Sequence, residues 1–422
     1  MPFNPPRAAG LARLADFVPR AGRAYAADRN LDRGPDERSN VSTLSPWVRH
    51  RLVTERDVAE AVLQRHSLDA ASKFVQEVYW RTYWKGWLEL RPSVWARYAA
   101  AVEPALAGLS AADRASYDAA VTGSTGIEGF DDWARELVET GYLHNHARMW
   151  FASIWIFTLR LPWQLGADFF MRHLLDGDPA SNTLSWRWVG GLQTVGKTYL
   201  ATAQNIDFAT GGRFRPSGLA TRAIALDNDG PAPTPIPAPQ PEPLPGGRAA
   251  LLLHEDDLHA ESLASAFEAA GAQVVAVAAP SAGEPRSPLS AGSADGSKAA
   301  SVPAPSSPLV VTFTAGALTD GRDRAGAHYA IGTTALDGLT ASAVLPWLRA
   351  HSLTALVTPH APVGPVRDRL DRLAIDLAAE GVTLARVLRP WDARAWPHAT
   401  RGFFSFREQI PALLREQRIR RD

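Results

Sequence analysis

The chain has 422 residues, long enough for two domains with separate cores, and is 46% hydrophobic and 21% charged. Its 44 Lys and Arg balance 44 Asp and Glu, so overall charge does not drive it onto nucleic acid, and DNA binding would need a local basic patch with base stacking. Cys is absent, which excludes disulfides, thiolate metal sites, cysteine-held iron–sulfur clusters and a cysteine nucleophile.

In chain order, the opening MPFNPPRAAGLARL carries early prolines and arginines and no long apolar run, so no secretory signal is expected. Residues 1–226 read as almost wholly helical. SNVSTLSP sets Ser42 and Ser45 around Leu44 before a helix, a capping signal whose hydroxyls and helix amides could also hold phosphate. Ser67–Leu90, Gly129–Thr140, Asn145–Leu159 and Gly166–Leu175 are helical by pattern, separated by Gly, Pro or Asn, with no alternating strand. In FVQEVYWRTYWKGW, Glu77, Arg81 and Trp84 share a face at i, i+4 and i+7 with Trp80 beside them. Two readings stand there: a half-buried amphipathic helix with a Glu–Arg surface pair, or a wall offering a carboxylate, a guanidinium and indole faces to a flat polar ligand. Met149–Leu161 is apolar but short and broken by Arg160, which fits a buried helix better than a membrane span. A cytoplasmic protein is expected.

After Arg148 comes DGDPASN, with Asp176, Asp178 and Asn182 in a turn between apolar helices. Helix capping explains such residues. Flanking Trp186 and Trp188 suggest a site, but acids without nearby His or Cys argue weakly for metal. His144 and His146 read as structural or rim residues. Eleven of the 14 Trp fall at or before Trp188, a density of indole that suggests stacking on flat ligands or electron transfer. GLQTVGKTYL lacks the first glycine of a phosphate loop, and neither H-E-x-x-H nor G-x-S-x-G occurs.

Residues 227–247 form a proline-rich extended linker. From 248 to 418 the pattern changes. Strands are expected at Ala249–Leu253, Val274–Ala278, Leu309–Phe313, Ala355–Val357 and Val382–Val387, and helices at Ala260–Ala270, Ala341–Ala350 and Val366–Ala379. Apolar strands alternating with helices argue for a doubly wound, Rossmann-like parallel α/β sheet, here without G-x-G-x-x-G after the first strand. The Gly-, Ser-, Ala- and Pro-rich stretch at about 280–307 reads as a disordered insertion.

Taken in order from about Tyr25 to Phe214, these motifs resemble the photolyase/cryptochrome family, specifically its helical FAD-binding domain. Tyr25 in YAADR and the Ser42, Leu44, Ser45 segment match its phosphate-holding residues, with Val41 where a threonine is usual. Phe74, Glu77, Trp80, Arg81 and Tyr83 match its W-x-x-E-x-x-W-R helix, Phe74 replacing an indole. TGYLHNHARM matches at Asn145, Arg148 and Met149, with Tyr142 replacing an indole. DGD-x-A-x-N-x-x-x-W-x-W is complete through Trp188. LLLHEDDLHAESLASA resembles the opening of the family's α/β antenna domain and Leu370–Phe406 its close, so the domain order looks swapped.

The resemblance implies an all-helical FAD-binding domain followed by an antenna-like α/β domain. Tyr25, Ser42, Leu44, Ser45 and Arg81 would hold FAD. Arg148 and Asp176 would pair beside the flavin, Asp178 would bond its ring edge, and Asn182 would sit by the reactive ring nitrogen, where an amide favours the reduced, protonated state. Glu77 would bond the bases of a pyrimidine dimer, Asn145 and Met149 would line the pocket, and Trp80 and Trp188 would wall it. Neither Asn145 nor Met149 is His, which points to cyclobutane dimers over 6–4 photoproducts. Trp186 and Trp163 match the first two members of an electron-relay chain. The third falls near Ser110, leaving Tyr117 or Trp155 as substitutes. Thr202 and Gln204–Asn205 depart from the family at the rim. The implied function is a blue-light-driven DNA-repair lyase, a monomeric flavoprotein acting on UV-damaged DNA without a metal. A cryptochrome-type receptor is the alternative, a light-independent helical redox flavoprotein the blander one, and the identity of any antenna chromophore is open.

Overall fold

The computed structural model describes residues 3–227, 230–288 and 306–419. Its helical half runs through α1 (Arg7–Phe17), α2 (Arg23–Asp28), α3 (Ser45–Arg49), α4 (Glu55–Arg65), α5 (Ser72–Glu89), α6 (Ser93–Ala107), α7 (Ala111–Thr122), α8 (Phe130–Thr140), α9 (Asn145–Ser153), α10 (Trp163–His173), α11 (Pro179–Val189) and α12 (Ala203–Ala209). Local chemistry sets several of these boundaries. Thr54 and Asp57 close a capping box on α4. Gly123 and Gly141 end α7 and α8 in the left-handed region, at φ 65° and 68°. Past Ser153, α9 widens into a π-helical segment, Ile154–Thr158, a local rearrangement that recurs near functional sites.

The second half is a five-stranded parallel sheet of β1 (Gly247–Leu252), β2 (Ala272–Pro280), β3 (Thr333–Leu336), β4 (Ala355–Pro359) and β5 (Thr383–Val387), in the order β3-β2-β1-β4-β5. Helices α13 (Ala264–Ala269), α14 (Pro308–Tyr329), α15 (Ala341–Ala350) and α16 (Pro365–Ala379) connect successive strands. Then α17 (Pro390–Ala395), α18 (Phe403–Arg407) and α19 (Ile410–Glu416) return to pack against the helical half, α17 and α18 directly on α5. The α plus α/β architecture and the doubly wound order are those read from the sequence.

One strand expectation is wrong. Leu309–Phe313 is not a strand but the first turns of α14. Ser307 caps that helix by accepting from the Val310 amide, Pro308 takes its first position, and buried Val310, Phe313, Thr314, Ala317 and Leu318 recur at helical spacing. A five-residue apolar run cannot be told from a buried helical segment by periodicity alone. The missing strand is Thr333–Leu336, too short and too little buried to announce itself. The expected insertion at about 280–307 also begins too early. Residues 289–305 lie outside the described residues, but Arg286 and Ser287 are buried at 2% and 3% exposure.

The two halves share a core. Ala249, Leu251 and Leu253 face the helical half and join its cluster with Trp47, Phe313, Trp391 and Phe403, whereas Ala250 and Leu252 pack outward with Val344, Leu348 and Leu370. A bulge opposite the Ala249/Ala250 step inserts Val275 into β2, so the inward parity switches from Val274 to Val277 and Ala279. Around this core lies a buried charge network. Arg49 pairs with Asp256, Arg51 with Asp392 at 2.6 Å and Asp257 at 3.2 Å, and Arg389 with Asp257. The acids of HEDDLH therefore answer the arginines of α3 and the residues just after it, a match that spacing in the sequence could not reveal.

Candidate functional site

Helices α2, α4 and α5 and the turn into α3 enclose a cavity of about 170 Å³ lined by Tyr25, Ser42, Leu44, Ser45, Val48, Val58, Phe74, Glu77, Val78 and Arg81. Seven of the residues singled out in the sequence, Phe74 among them, thus meet in one place. The turn carrying the serines is held from outside: Arg13 Nε donates to the Ser42 carbonyl at 2.8 Å and to Thr43 Oγ1 at 3.0 Å. Thr43 sits at φ 52°, where a non-glycine residue is uncommon and is retained only when its surroundings enforce it. Tyr25 packs edge-on to Phe74 with ring centroids 5.0 Å apart, and burial pushes its phenol up. The cavity is smaller than the roughly 300–1,000 Å³ common for drug-sized ligands.

Along α5 the Glu–Arg surface pair, one of the two readings of this helix, is replaced by other partners. Glu77 pairs instead with Arg29 at 2.6 Å. Burial outweighs Arg29 and raises the Glu77 carboxyl above its ordinary value. Arg81 reaches across to Asp178 at 3.5 Å, as does Lys85. Arg29 was missed in the sequence because its partner is 48 positions away; only its place in YAADR, four residues after Tyr25, hinted at a shared face.

Asp178 combines two roles that the sequence left as alternatives. Its Oδ1 accepts from the Ser181 amide at 2.8 Å and caps α11, while its Oδ2 faces Arg81 and Lys85. Burial opposes its charge, but Lys85, Arg81 and Arg49 prevail and hold it well below the carboxylate range. Asp176 Oδ2 accepts from Arg148 Nη2 at 2.9 Å, and Arg148 Nε donates to the Leu143 carbonyl. Burial works against ionised Asp176 too, yet Arg148, then Ser45 and Arg81, lower it. The Asp176 carboxyl is sealed from solvent, with the Ser45 hydroxyl as its partner besides Arg148. Ser45 and Arg81 both line the cavity, so they join it to the Asp176–Asp178 loop.

The remaining site residues are placed as follows. Asn182 is 7% exposed, and its amide donates to the Ala167 carbonyl of α10 at 2.8 Å. Asn145, at the start of α9, is exposed, and Met149 one turn later is half-buried. Trp80 stacks on Phe403 at 3.6 Å and 13°, and Trp188 on Tyr199 at 5.6 Å. Each expected wall therefore has one face occupied. His144 Nε2 meets the Arg29 carbonyl and His146 Nδ1 the Asn30 carbonyl, structural roles as expected for both.

Among the indoles, Trp186 has Trp155 at 6.1 Å, and Trp155 has Tyr117 at 5.9 Å. Trp163 instead stacks on Tyr98 at 5.4 Å. Ser110 caps α7. Trp150 is fully buried, stacked on Trp133, with its Nε1 donating to Asn205 Oδ1. Among the described residues no group of three or more His, Asp or Glu could hold a metal ion, and no helix is long and apolar enough to cross a membrane.

Residues 74–216 match a family model described as the FAD binding domain of DNA photolyase. The deoxyribodipyrimidine photo-lyase of Synechococcus sp. is 30% identical over 202 residues, 44% of this chain and 39% of that protein. The protein of the same name from Thermus thermophilus is 33% identical over 196 residues, 45% of this chain and 43% of its own length. The match thus spans about two fifths of these relatives. The crystal structure of a class III photolyase from Agrobacterium tumefaciens aligns with a TM-score of 0.40 and 26% identity, over 49% of this chain and 43% of that one.

Proposed function

The chain belongs to the photolyase/cryptochrome family through its helical half, and on that premise we propose that it splits cyclobutane pyrimidine dimers in DNA under blue light with bound, reduced FAD. One observation carries the reading. Tyr25, Ser42, Ser45, Glu77 and Arg81 line a single cavity, and beside its Ser45 and Arg81 wall lies the buried Asp176 carboxylate, kept ionised by Arg148 and the Ser45 hydroxyl. Asp178, ionised beside Lys85 and Arg81 in the same loop, is then the acceptor for the N–H edge of a flavin ring. On this reading the serine hydroxyls and Tyr25 hold the phosphate end, and Arg81 spans the two ends.

Reduced FAD, when bound, supplies the electron that opens the cyclobutane ring and takes it back afterwards. The protein's own residues set the conditions for that exchange. Arg148 keeps Asp176 charged, and Lys85 with Arg81 keeps Asp178 charged, so both accept hydrogen bonds at neutral pH. Asn182 places a neutral amide where an aspartate would repel negative charge. Glu77, raised by burial, meets the polar edge of a flipped-out lesion as Arg29 yields. Flipping is required because the reacting bond lies within the base stack, and a dimer already weakens its own pairing. Asn145 and Met149, one turn apart on α9, would meet the lesion on this reading.

The stacking of Phe403 on Trp80 and of Tyr199 on Trp188 favours a second reading, a cryptochrome-type receptor in which each of these indoles has one face taken by the protein itself. The two readings separate in one assay. Protein loaded with reduced FAD is mixed with an oligonucleotide carrying one cyclobutane dimer, and the products are chromatographed after blue light and after darkness. Intact thymines in the lit sample alone are expected. Dimer left unbound and unrepaired in both sinks the repair reading and leaves the receptor.

A further inference from the structure

The loop between α10 and α11, which carries Asp176 and Asp178, is gripped from behind by the α/β half. Arg286, in the segment 281–288 after β2, donates through Nη1 to the carbonyl oxygens of Leu174 at 2.9 Å and Leu175 at 3.4 Å, and through Nη2 to Thr314 Oγ1 at 3.0 Å. Arg49 donates to the next carbonyl but one, Gly177, at 2.8 Å. Both guanidinium groups face the same oxygen, Glu255 Oε1, at 3.5 Å and 3.6 Å. Two arginines sharing one carboxylate therefore hold three carbonyls of a single turn. Helix ends expose such carbonyls with partial negative charge, and cations suit them.

The grip has little slack. A Cβ added at Gly283 would lie 2.2 Å from Glu255 Oε2 and 2.5 Å from Thr314 Cγ2, so the segment is pressed onto the partner of Arg286. The segment is also fixed to α10: Ser287 Oγ donates to Asp168 Oδ1, and beyond the undescribed residues the Ser307 amide donates to the Arg172 carbonyl. Helix α10 in turn supplies the Ala167 carbonyl that orients Asn182. One short segment of the α/β half thus touches the supports of Asp176, Asp178 and Asn182.

We propose that the α/β half is a working part of the flavin site, with Arg286 the positioning residue that sets the Leu174–Asp178 loop. Its seating and flavin binding are then reciprocally coupled. This rests on the reading that FAD binds beside Asp176. The test measures FAD affinity and the visible circular dichroism of bound flavin in the full chain, comparing wild type with Arg286→Lys, Thr314→Val and Arg389→Lys. Arg286→Lys keeps the charge against Glu255 but cannot span two carbonyls. Thr314→Val removes one acceptor and spares the fold if the first variant does not. Arg389→Lys perturbs the same buried network, at Asp257, without touching the loop. The inference predicts at least tenfold weaker FAD binding and altered flavin dichroism for Arg286→Lys, a smaller change in the same direction for Thr314→Val, and wild-type values for Arg389→Lys. Wild-type affinity and dichroism in both loop variants overturn it, as does an equal loss in Arg389→Lys, which would mean general undocking. A wild-type protein that does not bind FAD overturns the cofactor reading and this inference with it.

Discussion

Asp178 shows how one side chain serves structure and chemistry together. It caps α11 through Oδ1 and balances Arg81 and Lys85 through Oδ2. Losing an N-cap costs about 1 kcal/mol, and leaving buried charges without their partner costs about 3–5 kcal/mol. Asp178→Ala should therefore lower the unfolding free energy in urea by several times the cap value. A loss of only about 1 kcal/mol would show that the charge balance does not matter. In the sequence, capping and site roles could not be separated at this residue, because both use the same carboxylate at the same position. A second residue gives a pH signature. Burial, helped by Arg172, lowers His173 from 6.5 to about 4. Between those values the unfolded chain binds the proton and the folded chain does not, so stability is full above pH 6.5 and lost as pH falls towards 4. The stability of His173→Gln should decline less steeply than wild type over that window, and parallel declines would count against the assignment.

At the scale of elements, what the sequence disclosed depended on whether a signal was local. The helices α5, α8 and α9 carried their own periodicity and punctuation, and β1, β2 and β4 held continuous apolar runs. The N-terminal turns of α14 read as a strand because their apolar residues are consecutive, and β3 was invisible because only Leu336 of its four residues is buried. The aromatic path was also only half legible. Motif order pointed to Trp163 after Trp186, whereas ring contact joins Trp186 to Trp155 and then Tyr117. The π-helical widening of α9 holds Trp155 there, and Gly166 allows the approach, since a Cβ would lie 2.3 Å from Trp186 Cη2. If electrons follow contact, Trp155→Phe should slow light-driven reduction of bound flavin at least tenfold, more than Trp163→Phe does. The reverse ranking would return the relay to Trp163.

For the whole molecule, the sequence conveyed two composition classes and the linker between them, but not that the classes share one core. Linker residues already touch both halves: the Ile236 amide donates to the Leu90 carbonyl, and Glu242 accepts from the Arg386 amide. The inner face of the sheet, the pairs of Arg49 and Arg51 with Asp256, Asp257 and Asp392, and the stacking of Phe403 on Trp80 join residues more than 200 positions apart. No local pattern encodes such contacts. The same integration brings a segment of the α/β half against the loop that carries Asp176. On the proposed function, this assembled site passes an electron from reduced FAD to a bound dimer. The most direct test is the fluorescence lifetime of reduced FAD in the protein, with and without a cyclobutane-dimer oligonucleotide. The account predicts that the lifetime shortens with the damaged strand, not with the undamaged one, and that Glu77→Ala weakens the effect. An unchanged lifetime at saturating damaged strand would contradict it.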